Sequence, residues 1–157
     1  AVRGPLVGKT KQATAGKKPR VFELPAAQRG ICEILLDIDA RKADSVSIDI
    51  TNKAGERVAL TYNPAAHTLA FDRRNSGLKD FSKDFPAVTV APTFENGRKI
   101  SLRIFIDRSS IEVFGNNGHF VSTNLVFPTQ PYSKLSVTSH GGSTKISNLN
   151  IFSIKEQ

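Results

Sequence analysis

From Val21 onward the apolar positions recur at every second residue, the period of strands that bury one face. The clearest case is 45–51, where Val46, Ile48 and Ile50 alternate with Ser45, Ser47 and Asp49. Ile34, Leu36 and Ile38 repeat the pattern one strand earlier, and Val58, Leu60 and Tyr62 one strand later, so these three segments are expected side by side. Further strands are predicted near 67–73, 100–107, 110–115, 119–126, 133–139 and 145–154. Between them lie turn-forming pairs such as Asn63-Pro64, Asn96-Gly97, Asn117-Gly118 and Gly141-Gly142. No segment has the spacing of an amphipathic helix. The pattern therefore predicts an all-β domain, a two-sheet antiparallel β-sandwich. Residues 75–99 read as a long surface excursion between strands, anchored by Phe81, Phe85 and Val88.

Residues 1–20 break the alternation. They are rich in Gly, Ala, Lys and Thr and read as a basic linker or arm, with the sandwich domain over 21–157. The charge follows the same division. Residues 1–20 carry six cations (Arg3, Lys9, Lys11, Lys17, Lys18 and Arg20) and no acidic residue, whereas 21–157 carry sixteen basic and fourteen acidic residues. The net charge of +8 thus sits mostly on the arm, and the body lacks the basic stripe of a nucleic-acid module. No nucleic-acid partner is expected. No membrane partner is expected either, because no apolar run approaches the roughly 18 residues of a spanning helix, and 1–20 lack the apolar stretch of a signal peptide. The segment GPLVGKT (4–10) has three residues between its glycines where a phosphate loop needs four.

Single chemical residues add little. Cys32 has no second cysteine for a disulfide or a zinc site, and it falls in phase with Ile34 and Leu36, as a buried thiol would. His67, His119 and His140 are scattered without a second ligand at metal spacing, so neither metal nor cofactor is implied. Asp37 and Asp39 share one side of a strand and read as a solvated face.

The segment ISLRIFIDRSSIEVFG (100–115) is more informative. If Arg108 and Ser109 form a two-residue turn, Asp107 pairs with Ser110, Ile106 with Ile111, Phe105 with Glu112 and Ile104 with Val113. The four aliphatics then share one face, and Arg103, Phe105, Asp107, Glu112 and Phe114 share the other. Two carboxylates about 5 Å apart are the equipment of a retaining glycosidase. An open sheet face, however, offers no pocket to exclude water and no device to raise one pKa, so an autonomous hydrolase is not expected.

The run FIDRSSIEVFGNNGHFVSTNLVFP (105–128) resembles the C-terminal β-sandwich module of glycoside hydrolase family 32, the fructan hydrolases that include levanases, inulinases and invertases. The matching residues are Asp107 to Phe114, then the turn Asn116-Asn117-Gly118, then Val126-Phe127-Pro128; upstream, TLAFDRRNSGLKDFSKDF (68–85) is similar to the family's D-R-x-x-S-G…F element. Similar segments run from about Leu36 to Ile154. The resemblance implies a jelly-roll or concanavalin-like sandwich belonging to an extracellular or periplasmic enzyme. It also implies a partner, the five-bladed catalytic propeller of the same polypeptide. That propeller's W-M-N-D-P-N, R-D-P and E-C motifs are all missing: the chain has no tryptophan and no Arg-Asp-Pro, and Cys32 is preceded by Ile31. The expectation is a non-catalytic accessory module that packs against the propeller, with Leu35, Phe105 and Phe114 as candidate contact residues.

The alternative is a carbohydrate-binding module for the terminal fructose of levan or inulin, since related free-standing fructan-binding modules are similar in sequence. Carboxylates and a guanidinium suit vicinal hydroxyls. By that resemblance the sugar-binding candidates are Asp107, Arg108 and Glu112, with Arg73 and His119 as further ones. Without tryptophan, stacking falls to Phe105, Phe114 or Tyr132.

Overall fold

A computed structural model describes residues 2–25, 31–78, 87–94 and 97–155. The alternating segments become strands: β1 (Val2–Ala15), β2 (Arg20–Glu23), β3 (Cys32–Asp39), β4 (Ser45–Thr51), β5 (Arg57–Asn63), β6 (Thr68–Asn75), β7 (Val88–Pro92), β8 (Lys99–Ile106), β9 (Ser110–Gly115), β10 (Phe120–Leu125), β11 (Lys134–His140) and β12 (Thr144–Lys155). They form two six-stranded sheets, ordered β1-β12-β3-β8-β9-β10 (sheet A) and β2-β11-β4-β5-β6-β7 (sheet B), with every pairing antiparallel. Among the described residues there is no helix. The expected two-sheet antiparallel sandwich is therefore the fold.

Alternation builds the core because each strand turns every second side chain inward. Ile34, Leu36, Ile38, Ile104 and Ile111 of sheet A and Val46, Ile48, Ile50, Leu60 and Phe71 of sheet B are at most 2% exposed. Burying each of the larger aliphatics contributes about 1.5–3 kcal/mol.

The hairpin has the expected register: Ile106 opposite Ile111, Phe105 opposite Glu112 and Ile104 opposite Val113, with the Asp107 N–H donating to the Ser110 carbonyl at 2.9 Å. Past its far end, the Phe120 ring lies directly over Gly115, where any side chain would collide with it.

Three expectations are corrected. First, the segment read as a linker within 1–20 forms β1, an edge strand zipped along β12 from Val2↔Lys155 to Ala15↔Thr144. Its alternation escapes notice because an edge strand buries little: only Ala13 and Ala15 are buried among its described side chains. Second, β4 and β5 are neighbours, but β3 lies in the other sheet, between β12 and β8. Alternation reports which face is buried and says nothing about which strand lies alongside. Third, the excursion over 75–99 contains β7, paired with β6. Val88 is 45% exposed and so is no anchor; Phe81 and Phe85 lie outside the described residues.

β12 changes phase partway. Ile146 is buried, the register slips between Ser147 and Asn150, Asn148 takes a φ of 53°, and Leu149 and Ile151 are the next buried residues. This bulge shifts the alternation by one residue, so that the strand presents an apolar inner face on both sides of it.

Candidate functional site

The outer face of sheet A carries the chemistry. Its centre is Glu33 on β3, a carboxylate only 1% exposed. Two guanidiniums reach it from either side. The Arg103 Nε of β8 donates to Oε2 at 2.6 Å, and the Arg3 Nε of β1 donates to Oε1. Each cation also lies on an aromatic ring: Arg3 is 4.4 Å from the Phe152 centroid, and Arg103 is 4.5 Å from Phe105 and 5.8 Å from Phe114. Those last two rings meet edge to face, with centroids 6.2 Å apart. Burial by itself would raise the Glu33 carboxyl, but the hydrogen bonds and charges of Arg3 and Arg103 outweigh it and hold the group below its ordinary range. The register makes this possible, because Phe152, Glu33, Phe105 and Glu112 stand opposite one another across β12, β3, β8 and β9.

Of the residues singled out from the sequence, Asp107 and Glu112 come together at one end of this face, and Arg108 follows Asp107 in the turn. Asp107 and Arg108 are exposed in the β8–β9 turn, where the Asp107 Oδ1 accepts the Arg108 N–H at 2.7 Å. Asp107 and Glu112 line a hollow of about 370 Å³ together with Phe105 and Ser110. On the other side of the turn, Asp107 and Arg108 line a second hollow of about 300 Å³ against 128–132. Arg73 approaches from the opposite sheet, its Nη1 donating to the Leu125 carbonyl at 3.0 Å. His119 is not part of the group. It sits in the β9–β10 turn, at the opposite end of β9 from Ser110. Tyr132 is excluded as a stacking surface: it is 2% exposed and its hydroxyl donates to the Ser76 carbonyl at 2.6 Å. Leu35, Phe105 and Phe114 are all half-buried on this outer face.

Two groups outside this face complete the electrostatics. Burial pushes the Cys32 thiol up to about 12, which makes it inert at neutral pH. On the outer face of sheet B, burial likewise raises Asp49, which Arg57 and His140 only partly offset.

Sequence reasoning missed Glu33 and Arg3. Glu33 is in outward phase with Leu35 and Asp37, which suggests solvent. The arginines that cover it lie 30 and 70 residues away in the chain, and one of them belongs to a segment read as a linker.

The family profile described as glycosyl hydrolases family 32 C terminal matches residues 5–153. The chain belongs to that family, as its C-terminal β-sandwich module. It is 37% identical over 101 residues to a levanase of Bacillus sp. (strain L7), covering 64% of this chain and 11% of that protein. With an extracellular exo-inulinase of Aspergillus awamori it shares 32% identity over 116 residues, 72% of this chain and 22% of that protein. The crystal structure of the A. awamori exo-inulinase superimposes with a TM-score of 0.75 at 25% identity, over 95% of this chain and 29% of that one. The chain thus spans roughly a tenth to a quarter of the length of these curated relatives. None of the family's propeller motifs occurs in its sequence.

Proposed function

We propose that this chain is the non-catalytic accessory module of an extracellular β-fructosidase and packs against its catalytic propeller. The observation that carries this reading is the side of the sandwich where β7 and β10 meet. Val88 and Val90 on β7, Val121 and Leu125 on β10 and the neighbouring Leu78 are 45–63% exposed. Neither VTVAP of β7 nor FVSTNL of β10 contains a charge. Exposed apolar side chains along neighbouring uncharged edge strands are what a module leaves open for a permanent neighbour. The levanase and exo-inulinase relatives are long enough to supply one.

The test is a chimera in which this chain replaces the corresponding module of the Bacillus levanase. The expected result is one cooperative melt that splits or falls when Val90→Lys and Leu125→Lys are introduced together. A double variant that melts like the parent chimera overturns the reading.

A second reading is favoured by one observation, the meeting of Asp107 and Glu112 beside Phe105, with Arg108 next in the turn. In this reading the group holds the terminal fructose of a fructan, with carboxylates accepting from vicinal hydroxyls. Loss of levan retention in Asp107→Ala and Glu112→Ala is the result it requires.

A further inference from the structure

A second concavity, of about 570 Å³, opens on the outer face of sheet A. It lies toward the β9–β10 turn. Its floor at Ser101 to Arg103 is four or more residues along β8 from Asp107, on the order of 13 Å or more at about 3.3 Å per residue. The two places are separate sites.

Local backbone conformation raises its walls. On one side the β12 bulge puts Asn148 in the left-handed region, at φ 53°, and lifts it beside Asp37. On the other side the β9–β10 turn runs through Asn116, Asn117 and Gly118 at φ 50°, 59° and 86°. Asparagine tolerates that region better than other side chains with a Cβ, and here two such asparagines, Asn117 and Asn148, line one groove. Between them lie Ser101, Arg103 and the Phe114 ring.

These groups are already oriented. The Asn148 Nδ2 donates to Asp37 Oδ2 at 2.9 Å, which leaves the amide oxygen directed elsewhere and the other carboxylate oxygen open to a further donor. Arg103 is fixed through its Nε by the buried Glu33 and by the rings beneath it, so its terminal N–H groups are presented rather than searching. Little conformational freedom remains to be lost on binding.

The mixture of groups selects the ligand. Across this face the two guanidiniums of Arg3 and Arg103 stand against the two carboxylates of Glu33 and Asp37, so neither an anion nor a cation gains net attraction. An apolar ligand would strip water from a carboxylate, a guanidinium, a hydroxyl and amides without replacing their hydrogen bonds. A neutral polyhydroxylated molecule, whose every hydroxyl both donates and accepts, satisfies all of them and can lay a C–H face on Phe114. The volume falls in the range of about 300–1,000 Å³ typical of small-molecule sites.

We propose that this groove, between the β12 bulge and the β9–β10 turn, is a binding site for a neutral saccharide. That the saccharide is a fructan rests on the function proposed above; that it is neutral and polyhydroxylated rests on the groove alone.

The experiment is amide chemical-shift mapping of the whole chain titrated with levan-type and inulin-type fructo-oligosaccharides, with cello-oligosaccharides and with fructose 6-phosphate. Expected is a saturable response at Ser101, Arg103, Asn117 and Asn148. Asn148→Gly, which keeps the left-handed backbone, and Ser101→Ala should each weaken binding by about tenfold. Lys53→Ala, in the exposed β4–β5 turn of the other sheet, should leave it unchanged, and the same spectra report whether each variant is folded. Response to cello-oligosaccharides with silence toward fructans upholds the groove and removes the fructan assignment. Response only to the phosphorylated sugar, shifts centred on Asp107 and Glu112, or silence toward every sugar at about 10 mM overturns the proposal.

Discussion

The two sides of the sandwich are finished differently. On one side the edge strands β1 and β2 carry Arg3, Lys9, Lys11 and Arg20 against the single acidic Glu23. Leu6, Val7 and Val21 are exposed there too, but cations are interspersed among them. On the other side β7 and β10 expose four aliphatic side chains and carry no charge. An open strand edge is a template for pairing with another chain, and charge, lysine above all, is a common defence. One side of this molecule has that defence within its own sequence. The other lacks it, which is the expected condition of a surface whose cover comes from a different domain.

The largest test of this contrast removes the charged edge. Deleting residues 1–15 should strip β12 of its partner, uncover the surroundings of Ala13 and Ala15 and leave Glu33 with one arginine. We expect the melting temperature to fall by at least about 10 °C, equivalent to several kcal/mol for a domain of this size. A melt within about 2 °C of the intact chain would restore the linker reading.

Glu33→Gln keeps the strand but weakens its clamp. Both arginines are about half exposed (48% and 47%), so solvent screening limits the loss to about 1–2 kcal/mol. The sign with pH is fixed by the direction of the shift. A carboxyl held below its ordinary 4.5 contributes its full stabilisation above that value and loses it as pH falls through the lowered one. Melts at pH 7 and pH 3 should therefore show a wide gap between wild type and variant that narrows in acid. A constant gap would mean that packing, rather than charge, holds β1.

On the opposite side, Tyr132→Phe removes the 2.6 Å bond that secures the Ser76 carbonyl just ahead of Leu78. Urea unfolding should register about 1 kcal/mol. A shift under about 0.3 kcal/mol would show that the bond is dispensable.

The smallest effect on stability is expected from Val90→Lys with Leu125→Lys in the isolated chain, within about 0.5 kcal/mol. Its effect on solution behaviour should be large by comparison. Light scattering should show less self-association in this variant and more in Lys9→Val with Lys11→Val, and the reverse ordering would break the contrast between the two sides.

What the sequence reveals follows the same physics. The β8–β9 hairpin is legible to the residue because one face is wholly buried and a one-residue slip would invert every side chain. β7 is illegible because its pattern is inverted, with Val88 and Val90 outward and Thr89 and Ala91 opposite the inward Phe71 and Leu69. β1 hides because its burial is confined to small residues near one end. In the candidate site, Asp107, Arg108 and Glu112 are close in sequence and so are legible as one group of candidates. Glu33 and the groove below Asn148 depend on strands brought side by side from distant parts of the chain, and no local window contains that information.

The pairing of Val2 with Lys155 has a mechanical consequence. With antiparallel β1 and β12 ending at the same place, tension applied across the two ends loads their hydrogen bonds one after another, as in opening a zipper, rather than all at once in shear. Pulled in that geometry, the module yields first along β1, at low force, because β1 is held on one side only whereas β12 is also held by β3.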